Sequence, residues 1–286
     1  MTTAPKVLRT VEEAAAFAEA VRLGGKRLAL VPTMGFLHRG HLALMEEGRA
    51  RADVVATSIF VNPTQFGPKE DFNRYPRDLD GDVAKCAGAG VSVVFAPEAA
   101  ALYPPGYQTY VDVTDVSKGL CGDRRPGHFR GVATIVTKLF NIFRPHLALF
   151  GEKDFQQLCV IRAFSRDLNL GVEVLGIATV REPDGLALSS RNAYLSAAER
   201  TRALALSRGL KTASHLYKNG VTDARELVMA VRRELEVEGI REDYVELVDA
   251  QTLSPLTQLT RPARLLVAGF LGPTRLIDNV ALGAMS

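Results

Sequence analysis

Two histidines three residues apart, His38 and His41, are the side chains with the clearest chemical potential in this sequence. They follow a short apolar run at residues 27–32 and stand at the start of a helix-like stretch at residues 40–52. A helix start presents free N–H groups and the positive end of a dipole, so it favours anions such as phosphates. Imidazole donors placed there stabilise negative charge that grows on a phosphate oxygen. The segment therefore predicts an anion site at a strand-to-helix turn.

The same two histidines could instead be surface or capping residues, and one histidine alone would not decide between these roles. Two of only five histidines, separated by Arg39 and Gly40, favour the chemical role. A zinc site is disfavoured because no third ligand is evident. The sequence contains no Gly-x-x-x-x-Gly-Lys-Ser/Thr loop, and no Gly-x-Gly-x-x-Gly motif follows the apolar run at residues 27–32. These motifs are the main sequence evidence for a P-loop and for a dinucleotide-binding site, so neither kind of site is favoured.

Strands and helices alternate along the first part of the chain. The predicted strands are residues 27–32, 53–61, 91–95, 147–150 and 172–180. The predicted helices are residues 11–23, 40–52, 78–88, 130–143 and 154–167. Short apolar strands suit burial on both faces of a parallel sheet. The alternation predicts an α/β fold with a mainly parallel sheet, which binds ligands at the carboxyl ends of its strands.

The pattern changes after about residue 180. The later elements are predicted helices at 196–217 and 222–238, predicted strands at 244–249 and 263–270, and a last apolar run near Ile277. Pro183 and Gly185 predict a loop at this transition. We expect two domains, residues 1–180 with the parallel sheet and residues 181–286 as a smaller α+β domain.

Polar side chains follow two further strands of the predicted sheet. Asn62 and Gln65 come after the second of these strands, on the same edge as the histidines, and could hydrogen-bond a polar substrate, although Asn-Pro is also common turn chemistry. Lys153 opens a later helix and is a natural phosphate partner, whereas Asp154 could simply cap that helix.

Two loops leave two interpretations open. Ser189, Ser190 and Arg191 could form an anion clamp, or they could belong to a polar interdomain loop. Arg125 and His128 could bind a carboxylate, or they could lie on a mobile surface loop rich in glycine and proline.

The acidic residues Asp78, Asp80 and Asp82 also permit two interpretations. They could contact a magnesium ion, with Asp82 as the candidate ligand. Charges at this spacing are otherwise typical of a solvated helix face.

Composition excludes several classes of protein. The 286 residues carry a net charge of +3 without a basic run, which gives no reason to expect nucleic acid or a membrane as partner. Three widely spaced cysteines do not suggest a disulfide framework. The N-terminal residues lack a signal-peptide pattern, and no segment approaches the roughly 20 apolar residues of a membrane span. We expect a soluble cytoplasmic protein.

Five segments, in this order, closely resemble the pantoate–β-alanine ligase family, which is nucleotidyltransferase-like and has a His-x-Gly-His element that contacts ATP. They are residues 32–41, 61–66, 125–132, 151–158 and 185–192. The likeness spans most of residues 28–195 and continues more loosely beyond. It implies a Rossmann-like N-terminal domain, a smaller C-terminal domain covering the site, a homodimer and a magnesium requirement.

The resemblance implies roles for individual residues. The ATP-binding residues would be Met34, Gly35, Phe36, Leu37, His38, Arg39, Gly40, His41, Gly151, Glu152, Lys153, Asp154, Val180, Leu188, Ser189, Ser190 and Arg191. The catalytic set would be His41, His38, Lys153 and Arg191. Together with the loops above, the expected pantoate contacts are Gln65, Gln157, Asn62, Arg125 and His128, and Gln65 would also contact β-alanine.

Three residues depart from the family pattern. Leu188 stands where methionine is common, which is a mild change of similar volume. Phe36 replaces a residue that is usually small, and Arg39 occupies a position that is often acidic. Of these residues, Arg39 is the one to which the sequence assigns no clear role.

The resemblance implies an ATP-dependent ligase that joins pantoate to β-alanine through a pantoyl adenylate and releases AMP and pyrophosphate. One alternative is a sibling nucleotidyltransferase that acts on a phosphate-bearing acceptor. Another is a non-catalytic nucleotide sensor or a tRNA-binding relative, although an RNA-binding protein should carry a basic stripe.

Overall fold

The computed structural model describes residues 4–68 and 70–283 and divides them into two compact units. The first unit comprises residues up to Glu152 together with Gln157–Ala178. The second comprises Lys153–Gln156 and the chain from Thr179 onward. The change of unit after Ala178 lies two residues from the predicted boundary, whereas the sequence did not indicate that Lys153–Gln156 belongs with the later part of the chain.

The first unit alternates strands and helices. Its strands are β1 Lys6–Leu8, β2 Leu28–Thr33, β3 Val54–Ile59, β4 Val93–Phe95, β5 Leu147–Gly151 and β6 Glu173–Ile177. Its helices are α1 Val11–Leu23, α2 Arg39–Arg51, α3 Leu79–Gly88, α4 Ala99–Leu102, α5 Leu120–Arg124, α6 His128–Phe143 and α7 Phe155–Asp167, of which α7 begins in the Lys153–Gln156 segment. Short 3₁₀ helices span Pro63–Gln65, Phe72–Arg74 and Glu152–Asp154.

The six strands form one parallel sheet in the order β1-β4-β3-β2-β5-β6. The central strands are mostly apolar, and residues Leu28 to Val31 are at most 2% exposed. Burial on both faces is what such continuous apolar runs require. The predicted α/β class with a mainly parallel sheet is confirmed.

The strand order places the loops that follow β2, β3 and β5 at the same edge of the sheet, the one formed by the carboxyl ends of its strands. From β2 the chain proceeds to β3 and β4 on one side, while β5 and β6 lie on the other. The loops after β2 and β5 therefore diverge at a topological switch point, which is where open α/β sheets bind ligands. The Asn62–Gln65 turn follows the adjacent strand β3.

Some elements differ from the prediction. Strand β1 was not predicted, because its three residues are too few for a periodic signal and pair only with β4 at the sheet edge. Helix α6 begins at His128, two residues before the predicted start, because Gly127 adopts a left-handed backbone (φ 82°) that ends the preceding turn.

The second unit is built on an antiparallel sheet. Its strands are β7 Arg241–Asp249, β8 Ala263–Leu271 and β9 Thr274–Leu282, in that order. Helices α8 Ala197–Lys218 and α9 Ala224–Val237 pack their apolar faces on it, with Leu206, Leu227, Val231, Leu265 and Val267 in the core. The predicted smaller α+β arrangement is confirmed. Among the described residues, no helix combines the length and apolar character that a membrane crossing needs.

Candidate active site

His38 and His41 together cap the N-terminus of α2. His38 Nδ1 accepts from the Gly40 N–H at 3.2 Å, and His41 Nδ1 accepts from the His38 N–H at 3.3 Å. An imidazole nitrogen that accepts a hydrogen bond carries no proton, so the hydrogen of each neutral ring lies on Nε2. The rings are 4.1 Å apart between centroids. The capping role is therefore compatible with the predicted chemical role, because capping uses Nδ1 and makes Nε2 the donor.

The loop before these histidines has an unusual backbone. Gly35 and Phe36 both have positive φ, 84° and 50°. A phenylalanine in this region is strained, so surrounding contacts must hold it there. The Asp82 carboxylate accepts from the Phe36 N–H at 2.6 Å and from the Leu37 N–H at 2.7 Å. A carboxylate on α3 thus holds the loop that leads into His38.

The geometry favours a positioning role for Asp82 over the predicted magnesium contact. Its side chain is fully buried, both oxygens accept backbone hydrogen bonds, and Lys85 Nζ lies 3.5 Å from Oδ1. Of its acidic neighbours, Asp78 accepts from the Gly81 N–H as the cap of α3, and Asp80 is exposed. In the described part of the chain, no group of three or more His, Cys, Asp and Glu side chains could hold a metal ion.

Arg39 finds a partner on the exposed surface of its own helix. Its Nη1 lies 2.6 Å from Glu46 Oε1, two turns further along α2. Both side chains are about half exposed, so the pair contributes little to stability. The contact accounts for a residue to which the sequence assigned no clear role, and it favours a surface function over the implied contact with ATP.

A second cluster connects the turn after β3 to the histidine loop. Gln65 Nε2 donates to Met34 Sδ at 2.9 Å, and Asn62 Nδ2 donates to Gln65 Oε1 at 3.2 Å. Asn62 also donates to the Gly131 carbonyl on α6 at 3.1 Å. The structure therefore brings together three predicted site residues, Met34, Asn62 and Gln65, although they come from different loops.

Arg125 and His128 hold the backbone of Gln65 in place, an arrangement called the Arg125–His128 brace below. Arg125 donates to both carboxylate oxygens of Glu70, at 2.7 and 2.6 Å, and its Nη1 lies 3.0 Å from His128 Nε2. His128 Nδ1 lies 2.8 Å from the Gln65 carbonyl oxygen and donates to it. These internal partners favour a bracing role for the pair over the direct contact with pantoate that the sequence predicts.

The Glu70 carboxylate remains charged in this brace. Burial, the strongest influence, raises the pKa of Glu70, but hydrogen bonds and charge from Arg125 outweigh it and hold the pKa below its ordinary value. A bidentate arginine–carboxylate pair is both strong and directional. The turn that presents Gln65 is therefore held by a charged pair that was not apparent from the sequence.

Gly131 permits the close approach of α6 to this turn. A Cβ atom there would lie 2.3 Å from the Thr64 carbonyl oxygen and 2.7 Å from the Gln65 Cα. Backbone atoms cannot rotate away as a side chain can, so we expect Gly131→Ala to displace the turn and raise the KM for the acid that Gln65 is predicted to bind on the order of tenfold.

Steady-state kinetics with each substrate varied in turn would check this expectation. Gly88→Ala is the matched control, because Gly88 also lies in a helix and an added Cβ would meet nothing within 4 Å. An unchanged KM in Gly131→Ala would show that the turn tolerates the displacement and would contradict the prediction.

The segment after β5 carries further candidates. Gly151 ends the strand, and Glu152–Asp154 form a single 3₁₀ turn that leads into α7. The Lys153 side chain is 17% exposed, and its Nζ lies 3.6 Å from Asp154 Oδ2. Gln157 lies in the first turn of α7 and is half-buried.

The second unit holds the residues of the predicted anion clamp, Ser189, Ser190 and Arg191. Ser189 caps the 3₁₀ helix Ser190–Tyr194, and its Oγ accepts from the Arg191 N–H at 3.3 Å. Ser190 is buried. Val180 and Leu188 are brought together by a backbone hydrogen bond of 3.0 Å from Leu188 N–H to Val180 O. Ser189, Ser190 and Arg191 thus lie in an ordered turn, whether or not they bind an anion, and Leu188 adjoins Val180.

Comparisons with known proteins agree with this geometry. The family model for pantoate-beta-alanine ligase matches residues 6–281. A curated relative from Myxococcus xanthus, named pantothenate synthetase, is 67% identical over 283 residues, covering 98% of this chain and 97% of the relative. A second pantothenate synthetase, from Geobacter sulfurreducens, is 53% identical over 97% of this chain and 99% of its own length.

Solved structures give the same result. The pantothenate synthetase of Thermus thermophilus is 46% identical, with a TM-score of 0.91 over 96% of this chain and 98% of that one. The pantoate-beta-alanine ligase of Francisella tularensis, solved in complex with beta-gamma ATP and beta-alanine, is 30% identical, with a TM-score of 0.82 over 97% of both chains. On these matches, which cover nearly the whole chain, the protein belongs to the pantoate-beta-alanine ligase family.

Proposed function

We propose that this chain joins pantoate to β-alanine at the expense of ATP and releases pantothenate, AMP and pyrophosphate. The observation that carries the proposal is the histidine pair at the start of α2, whose Nδ1 atoms are used in capping and whose Nε2 atoms are donors. It stands at the switch point of a parallel sheet, where nucleotides bind. Family membership supports the choice of pantoate and β-alanine as substrates.

The proposed reaction has two steps. The pantoate carboxylate attacks the α-phosphorus of ATP in line, so that a carboxyl–phosphorus bond forms and the bond to pyrophosphate breaks. The amine of β-alanine then attacks the acyl carbon, AMP leaves, and the amine loses a proton. No side chain of the enzyme forms a covalent bond, so the protein acts through positioning and electrostatics.

In this proposal, one group of residues acts on the ATP phosphates and another binds the two acids. His38 and His41 would stabilise the charge that develops on the phosphates, and so would Lys153, Ser190 and Arg191, which all belong to the second unit. Their donors are of the type that suits phosphate oxygens. The rest of the predicted ATP set, apart from Arg39, would shape the nucleotide pocket.

Gln65 would bind pantoate and later β-alanine, with Gln157 as a second contact to pantoate. The support for Gln65 is its contact with Met34, which places an amide beside the histidine loop. Its partner Asn62 and the Arg125–His128 brace would keep that amide in place.

Magnesium would enter with ATP. The described residues offer no group of three or more metal-binding side chains, and Asp82 is committed to backbone N–H groups. Magnesium commonly retains waters and binds through substrate phosphates with few protein ligands, so MgATP is the form of the nucleotide that these residues suit. We further propose a homodimer, which sedimentation of the purified chain would detect.

The direct experiment mixes enzyme and MgATP with a panel of hydroxy acids and amines, and measures AMP and pyrophosphate. Pyrophosphate release should require pantoate, and stoichiometric AMP should require β-alanine as well. AMP formation that is indifferent to both compounds would refute the proposal. A nucleotidylated phosphate acceptor in place of free AMP would instead support the sibling transferase.

A further inference from the structure

A buried asparagine of the second unit holds the backbone of Lys153. Asn279 lies on β9 and is 4% exposed. Its Nδ2 donates to the Lys153 carbonyl oxygen at 2.9 Å, across 126 residues of sequence. Its Oδ1 accepts from Arg264 Nη1 at 3.0 Å. Both ends of the amide are therefore engaged, which fixes its orientation.

Arg264, which binds Asn279, also contacts Phe155 in the same Lys153–Gln156 segment. Its guanidinium lies 4.2 Å from the centroid of the Phe155 ring. Phe155 is 2% exposed, so the contact is buried. One arginine on β8 and one asparagine on β9 thus hold Lys153–Gln156 at two points. These contacts explain why the segment belongs to the second unit.

The neighbouring residue on β9 anchors a second chain segment. Asp278 is 3% exposed and receives both terminal nitrogens of Arg181, at 2.6 and 2.9 Å. Its Oδ1 also accepts from the Asn279 N–H at 2.8 Å. Burying two charges costs desolvation free energy, and the two short hydrogen bonds between Arg181 and Asp278 offset that cost. It keeps this part of β9, and Asn279 with it, in a single arrangement.

We infer that Asn279 is a positioning residue for the adenylation step, acting through the backbone of Lys153. The inference rests on the proposed role of Lys153 at the ATP phosphates. A lysine has four rotatable side-chain bonds, so a defined position of its ammonium group depends on where its backbone is held. A displacement of about 1 Å at a charged group can cost on the order of 10²-fold in rate, and the flexible stem reduces that cost.

The test is Asn279→Asp, with the two partial reactions measured separately. Aspartate keeps the shape and the acceptor for Arg264, but it loses the N–H that Lys153 receives and places an anionic oxygen against that carbonyl. We expect single-turnover pyrophosphate release from MgATP and pantoate to slow about tenfold. Aminolysis of supplied pantoyl adenylate by β-alanine should stay at the wild-type rate, because pyrophosphate has already left.

Asp243→Asn is the matched control. Asp243 receives Arg275 at 3.0 Å, on the same sheet as Asn279, and contacts no predicted site residue through that pair. The Asp243→Asn variant should have a lower free energy of unfolding than wild type but the same rate of adenylate formation. Equal loss of both partial reactions in Asn279→Asp, or wild-type adenylation, would overturn the inference.

If the Asn279→Asp chain does not fold, Arg264→Lys takes its place. Lysine keeps the charge but lacks the planar guanidinium, which donates to Asn279 through Nη1 and lies over the Phe155 ring. The same split between the two steps is expected, and its absence would equally overturn the inference. Wild-type enzyme that fails to release pyrophosphate with pantoate would instead refute the proposed function, so the two failures are distinguishable.

Discussion

His41→Ala is expected to slow adenylate formation on the order of 10²–10³-fold, the usual cost of removing one donor to developing charge. The His41 ring sits at the start of α2, where its Nδ1 accepts from the His38 N–H and its proton lies on Nε2. Alanine removes that donor and the reciprocal half of the cap. Loss of a cap costs about 1 kcal/mol, which a domain of this size tolerates. Activity should therefore fall far more than stability.

Rapid-quench measurement of pyrophosphate release, combined with thermal unfolding, would separate the two effects. His215→Ala is the control, because His215 is an exposed histidine in the last turn of α8. It should leave both measurements unchanged. A His41→Ala enzyme with wild-type adenylation would remove His41 from the mechanism, and a chain that unfolds would assign it to the cap alone.

Asp82→Asn is expected to lower kcat on the order of 10²-fold without changing the magnesium concentration needed for half-maximal activity. The Asp82 carboxylate holds the Phe36 and Leu37 N–H groups, and an amide can accept from only one of them while its NH₂ group faces the other. An unsatisfied buried donor costs about 1–3 kcal/mol. The strained loop would relax, and His38 at its end would move.

Magnesium titration distinguishes this role from a metal-binding role. If Asp82 were a magnesium ligand, the half-saturating magnesium concentration would rise, and excess magnesium would restore activity. We also expect the imidazole NMR signals of His38 and His41 to shift in Asp82→Asn in the absence of any nucleotide or metal. Glu12→Gln, an exposed first-turn acidic residue on α1, is the control and should match wild type.

Local patterns in the sequence were sufficient for most of the first unit. Short apolar runs identified β2, β3 and β5, because strands buried on both faces need no polar alternation. The carboxyl ends of parallel strands share one edge, so the order of the motifs already predicted that the loops after these three strands would meet. The contact between Gln65 and Met34 is consistent with that prediction.

The roles of Arg125, His128 and Asp82 could not be predicted from the sequence in the same way. Each residue type suits a ligand as well as it suits an internal partner. The partners Glu70 for Arg125, Gln65 for His128, and Phe36 for Asp82 lie 46 to 63 residues away in the chain. Periodicity carries no information about such pairs, because it reports which face of an element is buried and not what packs against it.

Chemistry at the start of α2 was thus determined by the sequence: two histidines, a glycine between them and a strand before them. The local cap of α2, formed by hydrogen bonds two and three residues apart, decided which nitrogen of each ring is the donor, because a neighbouring N–H is bound to Nδ1. The tertiary structure decided that Lys153 belongs with β9 through Asn279. Both outcomes depend on directional hydrogen bonds, and their geometry exists only when the chain has folded.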